Sequence, residues 1–217
     1  MRMRWFRRFI VLSLVLLCSV WLHVRDRQGP VKLFTASVVW AAEKSPRSPD
    51  VHFVGTPHEV VEIMLRLADV KQTDVVYDLG SGDGRIVIAA AKKAGCRAYG
   101  FDLDPEMVEQ SIRNVKKEKM EALVTIKQKD IFDLDLSQAS VVTLYLLPEL
   151  NVALIPQLEK MKPGSRIVSH NFDMEGVDPD VEATVHRKDG KSNKVYLWTT
   201  PLKKPRPHIL RKLLFGK

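Results

Sequence analysis

The chain has 217 residues, 45% hydrophobic and 28% charged, with only two cysteines and a formal net charge of +8. That suits one globular domain with extensions, and argues against a disordered chain or a disulfide framework. The charge is unevenly placed: residues 1–50 hold nine Lys/Arg against three Asp/Glu, residues 201–217 hold six against none, and the 150 residues between them carry −4. A globular part of that sign is a poor match for a phosphate backbone, so no nucleic-acid partner is expected, whereas the basic ends suit an anionic membrane surface.

The chain opens with Arg2, Arg4, Arg7 and Arg8, followed by the charge-free apolar run Phe9 to Leu22. Basic residues before a short apolar stretch are the layout of a signal peptide, and the run is shorter than the roughly 20 residues that a span needs. Arg25 and Arg27 follow at once, which is unusual after a cleaved signal, while "LFTASVVWAAEK" offers a cleavage position after Ala41 or Ala42. Residues 1–50 are therefore expected to be a signal or membrane-anchor segment closed by the linker "EKSPRSPD"; a buried helix of the fold is the other reading. Membrane association through this end, or export, is expected, with the side of the membrane left open because arginines flank both ends of the apolar run.

Residues 51–200 form the expected domain. In "GTPHEVVEIMLRLADV" Thr56 reads as a helix N-cap, Pro57 as the first helical residue and Glu59 as the partner in a capping box, with Val60, Ile63, Met64 and Leu67 at helical spacing. Strands and helices then alternate. "DVVYDL" is a strand and "GRIVIAAAKKAG" a helix closed by Gly95. "RAYGFDL" is a strand, followed by a helix capped by Asp104 and begun by Pro105. "ALVTIKQ" is a strand, and "ASVVTLYLL" a strand without polar alternation, as expected where both faces are covered. "ELNVALIPQLEKM" is a helix interrupted near Pro156, "SRIVSHNF" a strand, and "DVEATVHR" and "KVYLWTT" a hairpin-like pair. The predicted fold class is α/β: a doubly wound, Rossmann-like sheet, mostly parallel with one antiparallel strand near the C-terminus. The basic tail, residues 201–217, carries Ile209, Leu210, Leu213, Leu214 and Phe215 and is either a short amphipathic surface helix or a tail that packs on the domain or stays disordered.

The loop after the first strand reads Asp78-Leu79-Gly80-Ser81-Gly82-Asp83-Gly84. A dinucleotide fingerprint counted from Gly80 would need glycine where Arg85 stands, and no phosphate-binding lysine follows. Asp78 in front of the glycines repels phosphate and suits a ligand carrying positive charge. A second acid, Asp102, ends the second strand 24 residues on, and a third, Asp130, follows the third strand beside Ile131.

An acid followed by G-x-G-x-G, with acids at the next two strand ends, resembles the class I S-adenosylmethionine-dependent methyltransferases over about residues 54–200. The resemblance implies S-adenosylmethionine as cofactor and no metal. It implies that Asp78 faces the amino group of the methionine portion and that Gly80, Gly82 and Gly84 let the backbone lie against the cofactor. Asp102 would accept hydrogen bonds from the ribose hydroxyls, Asp130 would meet the adenine amino group with Ile131 beside the ring, and Thr56 and Pro57 would line the methionine end. After the fourth strand the chain reads "LYLLPEL" instead of the N/D-P-P-Y/F of enzymes that methylate bases or side-chain amides.

A closer resemblance is to the small membrane-associated protein lysine methyltransferases. It is carried by Val54-Gly55-Thr56-Pro57, "DLGSGDGRIVIAA", the leucine-proline end of strand four and "PGSRIVSHNF"; the chain departs in having Asp102-Leu103-Asp104-Pro105 where that family often has Glu-Leu-Asn-Pro. The resemblance implies a protein substrate, membrane proteins included, with a lysine as acceptor. The ends of strands four and five then offer Tyr145, His170 and Asn171 as catalytic candidates. Two alternatives stay open: a methyltransferase acting on a lipid or quinone at a membrane, and a non-catalytic cofactor-binding protein of the same fold.

Overall fold

The computed structural model describes residues 54–204. The signal or anchor expected for residues 1–50 and the amphipathic helix expected in the C-terminal tail lie outside them.

Twelve elements follow in chain order: α1 (His58–Leu67), β1 (Val75–Leu79), α2 (Arg85–Ala94), β2 (Arg97–Asp102), α3 (Pro105–Lys117), β3 (Val124–Gln128), a 3₁₀ turn (Ile131–Asp133), β4 (Val141–Leu144), α4 (Pro148–Leu158), β5 (Arg166–His170), β6 (Val181–His186) and β7 (Ser192–Thr199). The strands make one sheet in the order β3-β2-β1-β4-β5-β7-β6. β1 to β5 pair in parallel; β7 is antiparallel to both β5 and β6. A single strand thus runs against the rest, as expected for a doubly wound sheet closed by a terminal hairpin.

Two apolar layers hold the sheet. On one face α1, α2 and α3 bring Val60, Met64, Val87, Ala91 and Val115 against Val76, Ala98, Val141 and Val168. On the other, α4 brings Leu154 and Leu158 against Val142, Leu144, Ile167 and Trp198. Strand neighbours alternate between the layers, Val141 with Val142 and Ile167 with Val168, because successive side chains leave opposite faces. All four residues of β4 are buried, which accounts for the absence of polar alternation in its sequence. Full burial of each Leu, Ile or Phe contributes about 1.5–3 kcal/mol, so the two layers dominate the stabilisation.

Three local expectations change. The N-cap of α1 is Pro57, and no side chain caps it. Thr56 turns away, and its hydroxyl meets His170 instead of closing a capping box. α4 continues through Pro156 without a break. Pro156 lies on the exposed side with Val152, where water can take the carbonyl that the missing N–H would have bonded. β4 is shorter than its apolar run: pairing ends at Leu144, and Tyr145 and Leu146 leave the ladder to wall a cavity.

An ion pair fixes the opposite end of the sheet. Arg166 donates to the carbonyls of Ala68 and Asp69 and pairs with Asp74, which also accepts from Ser140 Oγ at 2.7 Å. Burial acts against ionisation of Asp74, but the bonds from Ser140, Lys71 N–H and Arg166 outweigh it and hold its carboxyl below the usual range. The close of α1 is thereby tied to the starts of β1, β4 and β5.

Candidate functional site

The chain leaves β1 toward β2 on one side and returns to β4 on the other, so the carboxyl ends of β1 and β4 mark the point where strand order reverses. A cleft opens there because the two following connections diverge. Its open space, mouth included, is about 970 Å³.

Asp78 stands at its floor, 2% exposed. Its Oδ1 accepts from Thr143 Oγ1 at 2.6 Å, while Oδ2 is buried without a partner. Burial pushes the carboxyl up to about 7 against the Thr143 hydrogen bond, with Asp102 and Asp83 adding like-charge repulsion. A buried acceptor left open beside a cavity calls for a donor, and a cationic one answers both the bond and the charge.

The glycine loop folds over this acid. Gly80 has φ +76°, and a Cβ there would meet Leu146 Cδ2 at 2.8 Å, so the bare backbone is required. Gly82 donates its N–H to Asp102 Oδ2 at 2.7 Å, and Asp104 N–H reaches Asp102 Oδ1 at 3.0 Å. The Asp102 carboxylate is thus pinned at the cavity edge, and each oxygen keeps a lone pair for further donors such as vicinal hydroxyls. Asp104 caps α3, accepting from Glu106 N–H at 2.8 Å. Asp130 caps the 3₁₀ turn through Phe132 N–H at 3.0 Å and lines the cavity with Ile131 and Phe132, an acceptor beside two apolar walls. That set fits a flat amine-bearing ring.

The expected residues divide clearly. Thr56, Asp78, Gly80, Asp102, Asp130, Ile131 and Tyr145 line the cavity. Pro57, Gly82, Gly84, His170 and Asn171 do not. Gly84 serves packing: a Cβ there would lie 2.2 Å from Ser111 Oγ, so the glycine lets α3 approach the start of α2. Asn171 terminates β5 at φ +60°, its Oδ1 accepting from Lys194 N–H at 3.0 Å and from Asn193 Nδ2 at 3.3 Å, a turn role toward β7. His170 is 1% exposed and lies against Tyr145, ring centroids 3.9 Å apart. Burial, then the charge of Arg187, pushes its imidazole down to about 4, so it is neutral at pH 7.

Sequence reasoning missed Val54, Asp83, Arg85, Leu103, Met107 and Leu150. Arg85 clamps the Asp83 carboxylate through Nε at 2.9 Å and a second nitrogen at 2.7 Å, and donates to the Thr56 carbonyl at 2.9 Å. Burial opposes ionisation of Asp83, but the Arg85 bonds outweigh it and hold the carboxyl below its ordinary range. The alternating Gly-Asp-Gly-Arg is the signal that could have found this clamp, since acid and base two residues apart at a helix start can share a fork. The lining holds, among the described residues, five aspartates and a single basic residue, Arg85. Among the described residues no group of three or more His, Cys, Asp and Glu is placed to hold a metal ion.

Known proteins resemble this chain in sequence and fold. Residues 78–181 match the family described as the ANTKMT methyltransferase domain. A protein-lysine N-methyltransferase of Saccharolobus islandicus is 42% identical over 153 residues, 69% of this chain and 94% of that one. The adenine nucleotide translocase lysine N-methyltransferase of Mus musculus is 33% identical over 141 residues, 62% of this chain and 61% of that one. Among solved structures, an RNA methyltransferase from Salinibacter ruber in complex with S-adenosyl-L-homocysteine is 48% identical, with a TM-score of 0.65, covering 71% of this chain and 98% of that one.

Proposed function

The chain belongs to the S-adenosylmethionine-dependent methyltransferases that share the ANTKMT-type domain, and from that premise we propose that it methylates the ε-amino group of a lysine in a protein substrate. The observation that carries this reading is the charge of the cleft: five aspartates and one arginine already bonded to Asp83 and Thr56. Such a lining attracts a cationic cofactor and a cationic side chain, and repels a phosphate backbone. The relative of 42% identity, named for protein lysine, supports the same acceptor.

Asp78 Oδ2 would receive the cofactor's ammonium, Asp102 the ribose hydroxyls and Asp130 the adenine amino group, with Ile131 and Phe132 along the ring and the Gly80 backbone against the methionine portion. Thr56 closes that end from the lead-in segment, held by the Arg85 bond to its carbonyl. When bound, S-adenosylmethionine supplies a sulfonium methyl open to in-line displacement. The protein's task is then positioning and dehydration. An incoming ammonium must lose a proton to solvent before its nitrogen has a lone pair, and the apolar mouth, where the partly exposed Val54 and Leu150 line the cavity, favours the neutral amine. Tyr145 stands at that mouth, where its hydroxyl can accept an N–H bond and aim the lone pair at the methyl carbon. Transfer would form the N–C bond as the S–C bond breaks, moving the positive charge to nitrogen and leaving a methylammonium and a neutral thioether.

The N-terminal basic and apolar segment is read as a membrane anchor that keeps the domain beside its substrate, on the side that holds the cofactor. Among the described residues no helix is long and apolar enough to cross a membrane, so the anchor reading rests on residues 1–50. The full chain should float with anionic vesicles, and replacing Leu12, Leu14 and Leu16 with Asp should abolish flotation.

The acceptor is tested by incubating the full chain with methyl-labelled S-adenosylmethionine and separate pools of membrane proteins, soluble proteins, lipids and total RNA. Label recovered as methyl-lysine after hydrolysis is expected. Label in RNA alone, the substrate for which the Salinibacter protein is named, or in lipid alone would overturn the lysine assignment. Cofactor binding with transfer to nothing would favour the non-catalytic reading.

A further inference from the structure

His170 is buried, stands outside the cavity, and touches two residues that line it from different parts of the chain. Its Nδ1 lies 3.2 Å from the hydroxyl of Thr56, 114 residues earlier. Its ring lies under that of Tyr145, centroids 3.9 Å apart and planes 35° apart, while Phe172 stacks on Tyr145 from 6.1 Å at 17°. Thr56 is 3% exposed. A buried imidazole needs a reason, since an apolar side chain would fill the space without leaving Nε2 unpartnered.

The reason lies in what the two contacts join. Thr56 belongs to the segment at the methionine end of the cofactor site, and Tyr145 to the acceptor mouth. Two bonds among the described residues hold the lead-in segment, one from Arg85 to the Thr56 carbonyl and one between the Thr56 hydroxyl and His170. Tyr145 has left the β4 ladder, so no strand pairing fixes its ring, and the aromatic faces of His170 and Phe172 do so instead. We propose that His170 is a positioning residue that sets both sides of the reaction centre at once: its Nδ1 holds Thr56 against the cofactor, and its ring holds the Tyr145 hydroxyl where the acceptor nitrogen arrives. The proposal rests on the lysine reading for the second role only; the first concerns the cofactor site whatever the acceptor is.

The two roles separate by substitution. His170→Phe keeps an aromatic platform and removes the tie to Thr56; His170→Leu removes both with an apolar side chain of fitting size; Thr56→Val removes the tie from the other side. Calorimetric titration of each full-length variant with S-adenosylhomocysteine reads the tie without turnover. His170→Phe, His170→Leu and Thr56→Val should each weaken binding three- to tenfold, and the double variant Thr56→Val/His170→Phe should be no weaker than either single one. Initial rates at saturating cofactor read the platform: kcat of His170→Leu should lie at least tenfold below that of His170→Phe, with cofactor affinity equal between the two. Additive losses in the double variant would overturn the tie. Equal kcat for Phe and Leu would overturn the platform. If the wild-type chain methylates RNA or lipid and no lysine, the lysine reading fails, and the kcat comparison on that acceptor still decides whether the ring matters. If Leu at 170 fails to fold, judged by its thermal melt, His170→Met supplies the ringless variant.

Discussion

Asp78 and Asp102 carry opposite demands at the scale of single residues. Asp102 is pinned by two backbone N–H groups and accepts more donors without moving. Replacing it with Ala should weaken S-adenosylmethionine binding at least tenfold, about 1.4 kcal/mol, by calorimetry; unchanged affinity would remove the ribose assignment. Asp78 is held up to about 7 by burial, so an ammonium ligand must find it ionised or expel its proton. Affinity should therefore fall as pH drops below about 7, approaching tenfold per unit, with proton release on binding near neutrality. Thr143→Val removes the hydrogen bond that lowers this pKa and should move the falling limb to higher pH. Affinity flat between pH 6 and 8 would contradict the assignment. These acids were legible in the sequence because each ends a strand, where the chain must turn and an acid can face the cleft. The roles of His170 and Asn171 were not, since a strand-end position does not tell whether a side chain faces the cavity, the ladder or a neighbouring ring.

Helix starts and strand ends decide whether the glycine loop can exist at the scale of elements. Gly84 sits at φ +79° with Ser111 of α3 directly against it. Gly84→Ala should destabilise the domain by about 2 kcal/mol, combining the left-handed backbone cost of about 1–2 kcal/mol with contact against Ser111. Urea unfolding measures it, and Ser111→Gly in the same chain should restore the contact part but not the backbone part. A stability loss under about 0.5 kcal/mol, the range of neutral surface changes, would mean that the helices adjust freely. α2, α3 and the parallel strands were readable from periodicity, Gly95, Asp104 and Pro105, all local signals. The cap of α1, the continuity of α4 through Pro156 and the early end of β4 were not. Each depends on the surroundings of the segment: His170 drawing Thr56 away, the exposed side of α4 where Val152 and Pro156 lie, and pairing that stops at Leu144.

The whole molecule joins two apolar layers through one sheet, and the cofactor site lies where both meet the strand ends. A ligand that binds only the folded form should therefore raise the melting temperature of the entire domain. At a concentration of 100 Kd the gain is about 2.7 kcal/mol, or roughly 5–11 °C for a domain of this size. Asp78 sets the sign of the pH dependence: its folded pKa is raised, so its stabilising protonation is complete below the ordinary carboxyl value and is lost as pH rises through about 7. The shift given by a fixed concentration of S-adenosylhomocysteine should be larger at pH 8 than at pH 6, measured by differential scanning calorimetry; the reverse order would contradict a buried acid at the ammonium site. By itself the sequence determined the order of strands and helices, the glycine loop and three of the five acids of the cleft, because these rest on local periodicity, backbone freedom and charge. Only the tertiary structure decided that Gly84 packs a helix, that Arg85 latches the lead-in segment and that His170 lies beneath Tyr145. Those contacts join residues 25 to 29 positions apart through packing or a side-chain bond, and no local pattern encodes them.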